Sequence, residues 1–264
     1  MATQTLVNGS TDLTQTTSYD GAALPITGDT FRIPRGSQTI NTFFTDARNF
    51  AAFELNFFGV IESAAGAALK FDCSGTANLR GANGRVKFGT GSVTSKWDIV
   101  NIKMPDSWLS FSDGEFEDVI CEACAEAIFD TDAVVDVLKV YGGNVILQAN
   151  SNTVAAELYG GTTTARRGGT YNLHGDAVLI VDVTNGASPT IKQYSSRSRV
   201  VQKNGVFSSS SELKAGYYVD QSETPIVNDG VTVGPGLMLT SSVNVTWTNT
   251  VREGIQDAGN PLIA

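Results

Sequence analysis

Val140-Tyr141-Gly142-Gly143-Asn144-Val145, Leu158-Tyr159-Gly160-Gly161-Thr162-Thr163 and Leu173-His174-Gly175-Asp176-Ala177-Val178 repeat one pattern: an apolar residue, a ring, glycine, then a run suited to a strand. Tyr159 follows Tyr141 by 18 residues and His174 follows Tyr159 by 15. That interval fits one rung of a β-solenoid and is too short for a propeller blade of about 40 residues. Each repeat therefore predicts one coil, with Tyr141, Tyr159 and His174 stacked on adjacent coils.

A coil cannot bury its own apolar face. Short strands bury alternate side chains against the coils above and below, and glycine turns the chain where β-carbons would collide. Stability then requires at least about three stacked coils, and the end coils need protection against edge-to-edge association.

Composition agrees with a β-rich body. The 264 residues include 27 Gly and only 7 Pro, with 17% charged residues, which describes a folded chain with many turns. The expected fold class is all-β: a right-handed, parallel β-helix-like solenoid with extended terminal arms and a small C-terminal β region. The expected organisation is an N-terminal arm over 1–27, a β-helix body over 28–200, and a C-terminal β region and arm over 201–264.

Charge and cysteine content exclude several functions. A net charge of −9 lacks the surplus of Lys and Arg that phosphate neutralisation requires, so no nucleic-acid partner is expected. The opening residues lack a basic stretch followed by an apolar one, and no run of about 18 apolar residues occurs, so neither a secretory leader nor a membrane partner is expected. The 3 cysteines cannot all pair within one chain, which predicts synthesis in a reducing cytoplasm.

Along the chain, the first nineteen or so residues are polar and weakly periodic, as an arm or edge strand would be. Phe43, Phe44, Phe50, Phe53, Phe57 and Phe58 form the densest aromatic stretch and read as core packing, with Asp46-Ala47-Arg48-Asn49 able to cap a short helical turn. From Ala68 to Met104, period-two strands alternate with glycine turns. Residues 113–136 then concentrate 9 carboxylates in 24 positions, with no Lys or Arg between Met104 and Val137. Val119, Ile120, Cys124, Ala127 and Ile128 fall at mixed spacings there, compatible with a short amphipathic helix or with strands. From Leu213 onward, further strands suit either a small sheet or a continued solenoid.

Chemically suggestive residues have plainer readings. Cys121-Glu122-Ala123-Cys124 has metal or redox spacing, yet a zinc site would consume Cys73, Cys121, Cys124 and His174, every cysteine and the only histidine. Two small buried thiols are the simpler expectation. His174 occupies the tyrosine position of the repeat and is a stack member before it is a base. The carboxylates around Asp130 and Asp132 could supply a glycosidase pair, or a calcium site, but a solvated face is the default. The Gly142-Gly143 and Gly160-Gly161 pairs lack the following Lys-Ser/Thr of a phosphate loop. No catalytic, cofactor-binding or metal-ligating residue is assigned, no cofactor is expected, and the chain is expected not to be an enzyme.

Gly28-Asp29-Thr30-Phe31-Arg32-Ile33-Pro34-Arg35-Gly36, followed by Ile40, resembles the opening coil of many right-handed β-helix proteins. Polar arms, Tyr/His-Gly coils and an acidic body over about Gly28 to Asp182 together resemble tailed-bacteriophage virion proteins, especially β-helix head decoration (cement) proteins. The resemblance implies an oligomer on the capsid surface that bridges neighbouring subunits of the major capsid protein. Terminal coils that leave sheet edges to cover lead to the expectation of a homo-oligomer of two-fold or three-fold symmetry, and weak periodicity with scattered anchors such as Leu6, Leu13, Leu24, Leu262 and Ile263 to the expectation that arms of about 1–25 and 250–264 make much of the capsid contact. The alternative is a tail fibre or tailspike that binds or depolymerises host surface polysaccharide, for which Trp97 and Trp108 ahead of the acidic stretch speak.

Overall fold

A computed structural model describes residues 2–7, 10, 12–34, 44, 48–58, 69–82, 85–89, 96–150, 152–240 and 244–252. The expected helical turn at 46–49 and the last dozen residues fall mostly or wholly outside these. The fold is a parallel β-solenoid, and the chain divides into two units, Met1–Val137 with Gly143–Val145, and Leu138–Gly142 with Ile146–Ala264.

In the first unit the strands are β1 (Thr3–Thr5), β2 (Thr30–Ile33), β3 (Asn49–Phe58), β4 (Leu69–Lys70), β5 (Asp72–Ala82), β6 (Arg85–Gly89) and β7 (Lys96–Val140), the last running on into the second unit. Period-two alternation becomes two columns. Inward, Ile33, Leu55, Leu79 and Ile102 stack in register, all fully buried. One residue earlier on each coil, Arg32, Glu54, Asn78 and Asn101 form the outward column, with an Arg32–Glu54 ion pair at 2.6 Å and an Asn101–Asn78 hydrogen bond at 3.1 Å.

Rings fill much of this interior. Phe31, Phe53, Phe71, Phe88, Trp97, Phe111, Phe116 and Phe129 make a chain of mutual contacts, ending in Phe111 and Phe129 stacked at 4.5 Å and 6°. Each fully buried ring contributes about 1.5–3 kcal/mol by leaving water. Trp97 is wholly inside, its indole N–H donating to the Phe71 carbonyl at 2.7 Å. Of the two tryptophans ahead of the acidic stretch, Trp108 is exposed, at 47%, and Trp97 is not.

The acidic stretch is extended throughout. From Phe116 to Phe129 its inward residues Phe116, Val119, Cys121, Cys124, Ala127 and Phe129 are spaced by two along straight segments and by three elsewhere, the insertion of an extra residue being what turns a coil. Those threes are what imitate a helix in the sequence.

The first residues pack onto the opening coil. β1 pairs in parallel register with β2, Leu6 and Leu13 are fully buried, and the Tyr19 hydroxyl donates to the Leu13 carbonyl at 2.9 Å. Leu6, Leu13 and Tyr19 of the 1–27 segment thus have partners within the chain itself, while Ile26 is exposed.

The second unit continues with β8 (Asn144–Leu147, which starts in the first unit), β9 (Val154–Leu158), β10 (Thr162–Ala165), β11 (Gly169–Leu173), β12 (Val178–Asp182), β13 (Thr190–Gln193), β14 (Arg199–Asn204), β15 (Glu212–Asp220), β16 (Ile226–Asp229), β17 (Thr232–Leu239), β18 (Val245–Thr248) and β19 (Val251–Arg252). Leu158, Leu173, Gln193, Leu213 and Val233 share one buried column through parallel pairings. β14 pairs with both β12 and β15, so coil stacking runs through residue 200 and on to β19. From Leu213 onward the parallel stacking continues through β15, β17 and β19, while β16 and β18 pair with each other as a separate two-stranded sheet. Among the described residues no helix is long and apolar enough to cross a membrane.

Candidate functional site: stacked side-chain ladders

The repeated Tyr/His-Gly motif places its rings immediately after β7, β9 and β11. Tyr141 and Tyr159 stack with centroids 4.8 Å apart and planes 5° from parallel, and Tyr159 and His174 stack at 4.7 Å and 16°. The following glycine is what admits this spacing: a β-carbon on Gly160 would lie 2.6 Å from the Tyr141 carbonyl oxygen. The rings are partly exposed, Tyr141 at 51% and Tyr159 at 38%. Stacked in this way, they turn their faces to each other.

Glu157 orients the end of the stack. One carboxylate oxygen lies 2.6 Å from His174 Nε2 and the other accepts from Asn172 Nδ2 at 2.7 Å. When His174 is protonated the contact is an ion pair between half-exposed partners, worth about 0–1 kcal/mol. His174 is thus held between the Glu157 carboxylate and the Tyr159 ring.

The motif's position is filled again one coil on, since the Leu173–Gln193 pairing sets Tyr194 opposite His174. Tyr194 is 47% exposed, the Lys214 ammonium lies 5.7 Å from its ring centroid, and its hydroxyl donates to Glu212 at 3.1 Å. Lys214, whose ammonium lies 2.9 Å from Glu212, and Tyr194 together hold the Glu212 carboxyl below the usual glutamate range. Sequence reading missed this extension because Tyr194 is followed by Ser195 and not glycine.

Two further polar ladders join coils of the second unit. Arg166 donates to Asp182 at 3.1 Å and to Gln148 at 2.8 Å, and Asn204 donates to the other Asp182 oxygen at 2.7 Å. In the interior, fully buried Gln202 and Asn228 exchange amide hydrogen bonds at 3.2 and 2.8 Å, joined by the Tyr218 hydroxyl at 2.7 Å. Burial pushes the Tyr218 phenol well above its ordinary range.

The carboxylates of residues 113–136 do not converge on one point. Asp113, Glu117 and Glu122 reach Lys70, Lys96 and Lys103 at 3.0, 2.6 and 2.7 Å, and Asp130 accepts from Ser110 at 3.3 Å. Lysines that precede the stretch in sequence thus pair with three of its nine carboxylates. Among the described residues no group of three or more His, Cys, Asp or Glu is placed to hold a metal ion. Cys73, Cys121 and Cys124 are buried and not joined in a disulfide.

No family model, curated protein or solved structure matches the chain. The fold and these ladders define it as a β-solenoid protein, and its functional reading rests on its own residues.

Proposed function

We propose that this chain is a structural virion protein of a tailed phage: a capsid decoration or cement protein, made in the host cytoplasm, that sits on the capsid surface, binds the major capsid protein and stabilises its lattice. The carrying observation is that polar and aromatic side chains are spent on joining coil to coil. Arg32–Glu54, Lys96–Glu117, Lys103–Glu122, Arg166–Asp182 and the Tyr141–Tyr159–His174 stack each link different turns. Such a body resists unwinding and leaves its chemistry committed to structure, as a load-carrying, non-enzymatic protein requires. Exposed apolar side chains such as Ile26, Val227, Met238 and Val251 supply contact area for a homo-oligomer of two-fold or three-fold symmetry and for the capsid. Neither nucleic acid nor membrane is a partner in this reading, and no cofactor takes part.

The test is co-sedimentation of the purified protein with capsids of the encoding phage that lack it. Saturable binding in a fixed ratio to the major capsid protein supports the proposal; absence of binding at micromolar concentration contradicts it.

The tail-fibre or tailspike reading is favoured by one observation: exposed Trp108 has the Arg85 guanidinium 5.4 Å from its ring centroid, a pairing able to stack on sugar. Release of oligosaccharide from host surface polysaccharide, abolished by Asp130→Asn or Asp132→Asn, would favour that reading over decoration.

A further inference from the structure

The thiols of Cys121 and Cys124 stand close together inside the first unit. Their sulfurs are 3.4 Å apart, nearer than two non-bonded sulfurs ordinarily rest. Cys121 is fully buried and Cys124 is 5% exposed. The next coil holds Cys124 in place: its sulfur donates to the Asn144 carbonyl at 3.4 Å, and Gly143, at φ +88°, passes so close that a β-carbon there would lie 2.6 Å from the Cys124 backbone nitrogen and 2.7 Å from its sulfur. To form an S–S bond the two sulfurs must close from 3.4 Å to about 2.05 Å.

We infer that Cys121 and Cys124 are an oxidation site that closes to an intrachain disulfide when the protein meets a small peroxide. Cys124 reacts first. It is the less deeply buried of the two, at 5% against 0%, and once it gives up the proton it donates to the Asn144 carbonyl, the Cys121 S–H can donate to the thiolate formed. The Cys124 sulfur attacks one peroxide oxygen, the O–O bond breaks, and the departing hydroxide takes up the proton Cys124 lost, leaving a sulfenic acid and one water. The Cys121 sulfur then attacks the Cys124 sulfur, the S–S bond forms, the S–O bond breaks, and a second water leaves with the Cys121 proton. Two thiols are oxidised by two electrons and hydrogen peroxide is reduced to two waters.

The cross-link chemistry stands on the geometry of the pair. Its timing rests on the proposed virion role: thiols stay reduced in the cytoplasm where the chain is made, and oxidise after release of the particle.

The experiment treats the purified full-length protein with a small excess of hydrogen peroxide, denatures it in an alkylating reagent, and weighs the intact chain and its tryptic peptides. No Lys or Arg lies between Lys103 and Lys139, so both cysteines fall in one peptide. Expected are a loss of two alkylated thiols, that peptide lighter by about 2 Da than its reduced, unalkylated form, and Cys73 still alkylated. In Cys121→Ser, a sulfenic acid at Cys124 should be trapped by dimedone, with none trapped in the wild type. Three alkylated thiols after peroxide, or separate sulfinic acids in place of the cross-link, overturns the inference, and the wild-type thiol count decides alone should the variant not fold. The readout involves no particle, so its failure leaves the virion role standing, and a failure of capsid binding leaves the cross-link standing.

Discussion

Tyr141 and Tyr159, 18 residues apart in sequence, lie face to face with ring centroids 4.8 Å apart, the spacing of neighbouring strands in a sheet of about 4.8 Å. The side-chain stack therefore reports the coil repeat directly.

Tyr159 touches a ring on each side, so Tyr159→Ala removes two stacks at once. At about 0.5–1.5 kcal/mol per aromatic pair the loss is about 1–3 kcal/mol, lowering Tm by about 2–4 °C per kcal/mol. Tyr159→Phe keeps both stacks and should behave as wild type in thermal unfolding. Equal losses from both variants would assign the effect to the hydroxyl.

This column was legible because a ring and a glycine recur at coil spacing. The period-two columns of the first unit were legible for the same reason: Phe31 and Ile33 alternate with Thr30 and Arg32 as a half-buried strand must. The acidic stretch resisted reading because the extra residues that turn its coils turn a spacing of two into three, and because the lysines that pair with it, Lys70, Lys96 and Lys103, lie ahead of it in sequence. The Gln202–Asn228 pair left no local signal at all, since its partners are 26 residues apart and amides are common in turns.

Gly143 and Gly186 separate close approach from backbone strain. Both have positive φ, +88° and +80°, but a β-carbon on Gly143 meets Cys124 at 2.6 Å while one on Gly186 meets nothing within 4 Å. Gly186→Ala should cost only the left-handed conformation, about 1–2 kcal/mol. Gly143→Ala adds a clash with backbone and should cost about 2–5 kcal/mol in all. Denaturant midpoints compare the two, and equal costs would contradict the close packing of this coil.

Asn228→Ala should destabilise by about 2–4 kcal/mol, because it leaves the buried Gln202 amide and the Phe207 N–H without a shared partner. Replacing Gln202 and Asn228 together by Leu should recover part of that loss. An Asn228→Ala cost below about 0.5 kcal/mol, the range of ordinary surface changes, would show that the ladder contributes no stability.

Glu212 sets a small acid dependence. Its folded carboxyl titrates below the unfolded value because Lys214 and Tyr194 favour the charged form. The stability it adds is therefore present above the unfolded pKa of about 4.3 and disappears as pH falls through the lower folded value. Glu212→Gln should narrow the difference in urea midpoint between pH 7 and pH 3. An unchanged difference would mean that the Lys214 contact contributes nothing in solution.

Imaging of the encoding phage by electron cryo-microscopy, with and without this protein, tests the proposed virion role most directly. The account predicts solenoid-shaped density at symmetry-related positions on the outer head surface, in contact with the major capsid protein and absent from particles lacking the gene product. Density confined to the tail, or particles with no density for the protein, would contradict it.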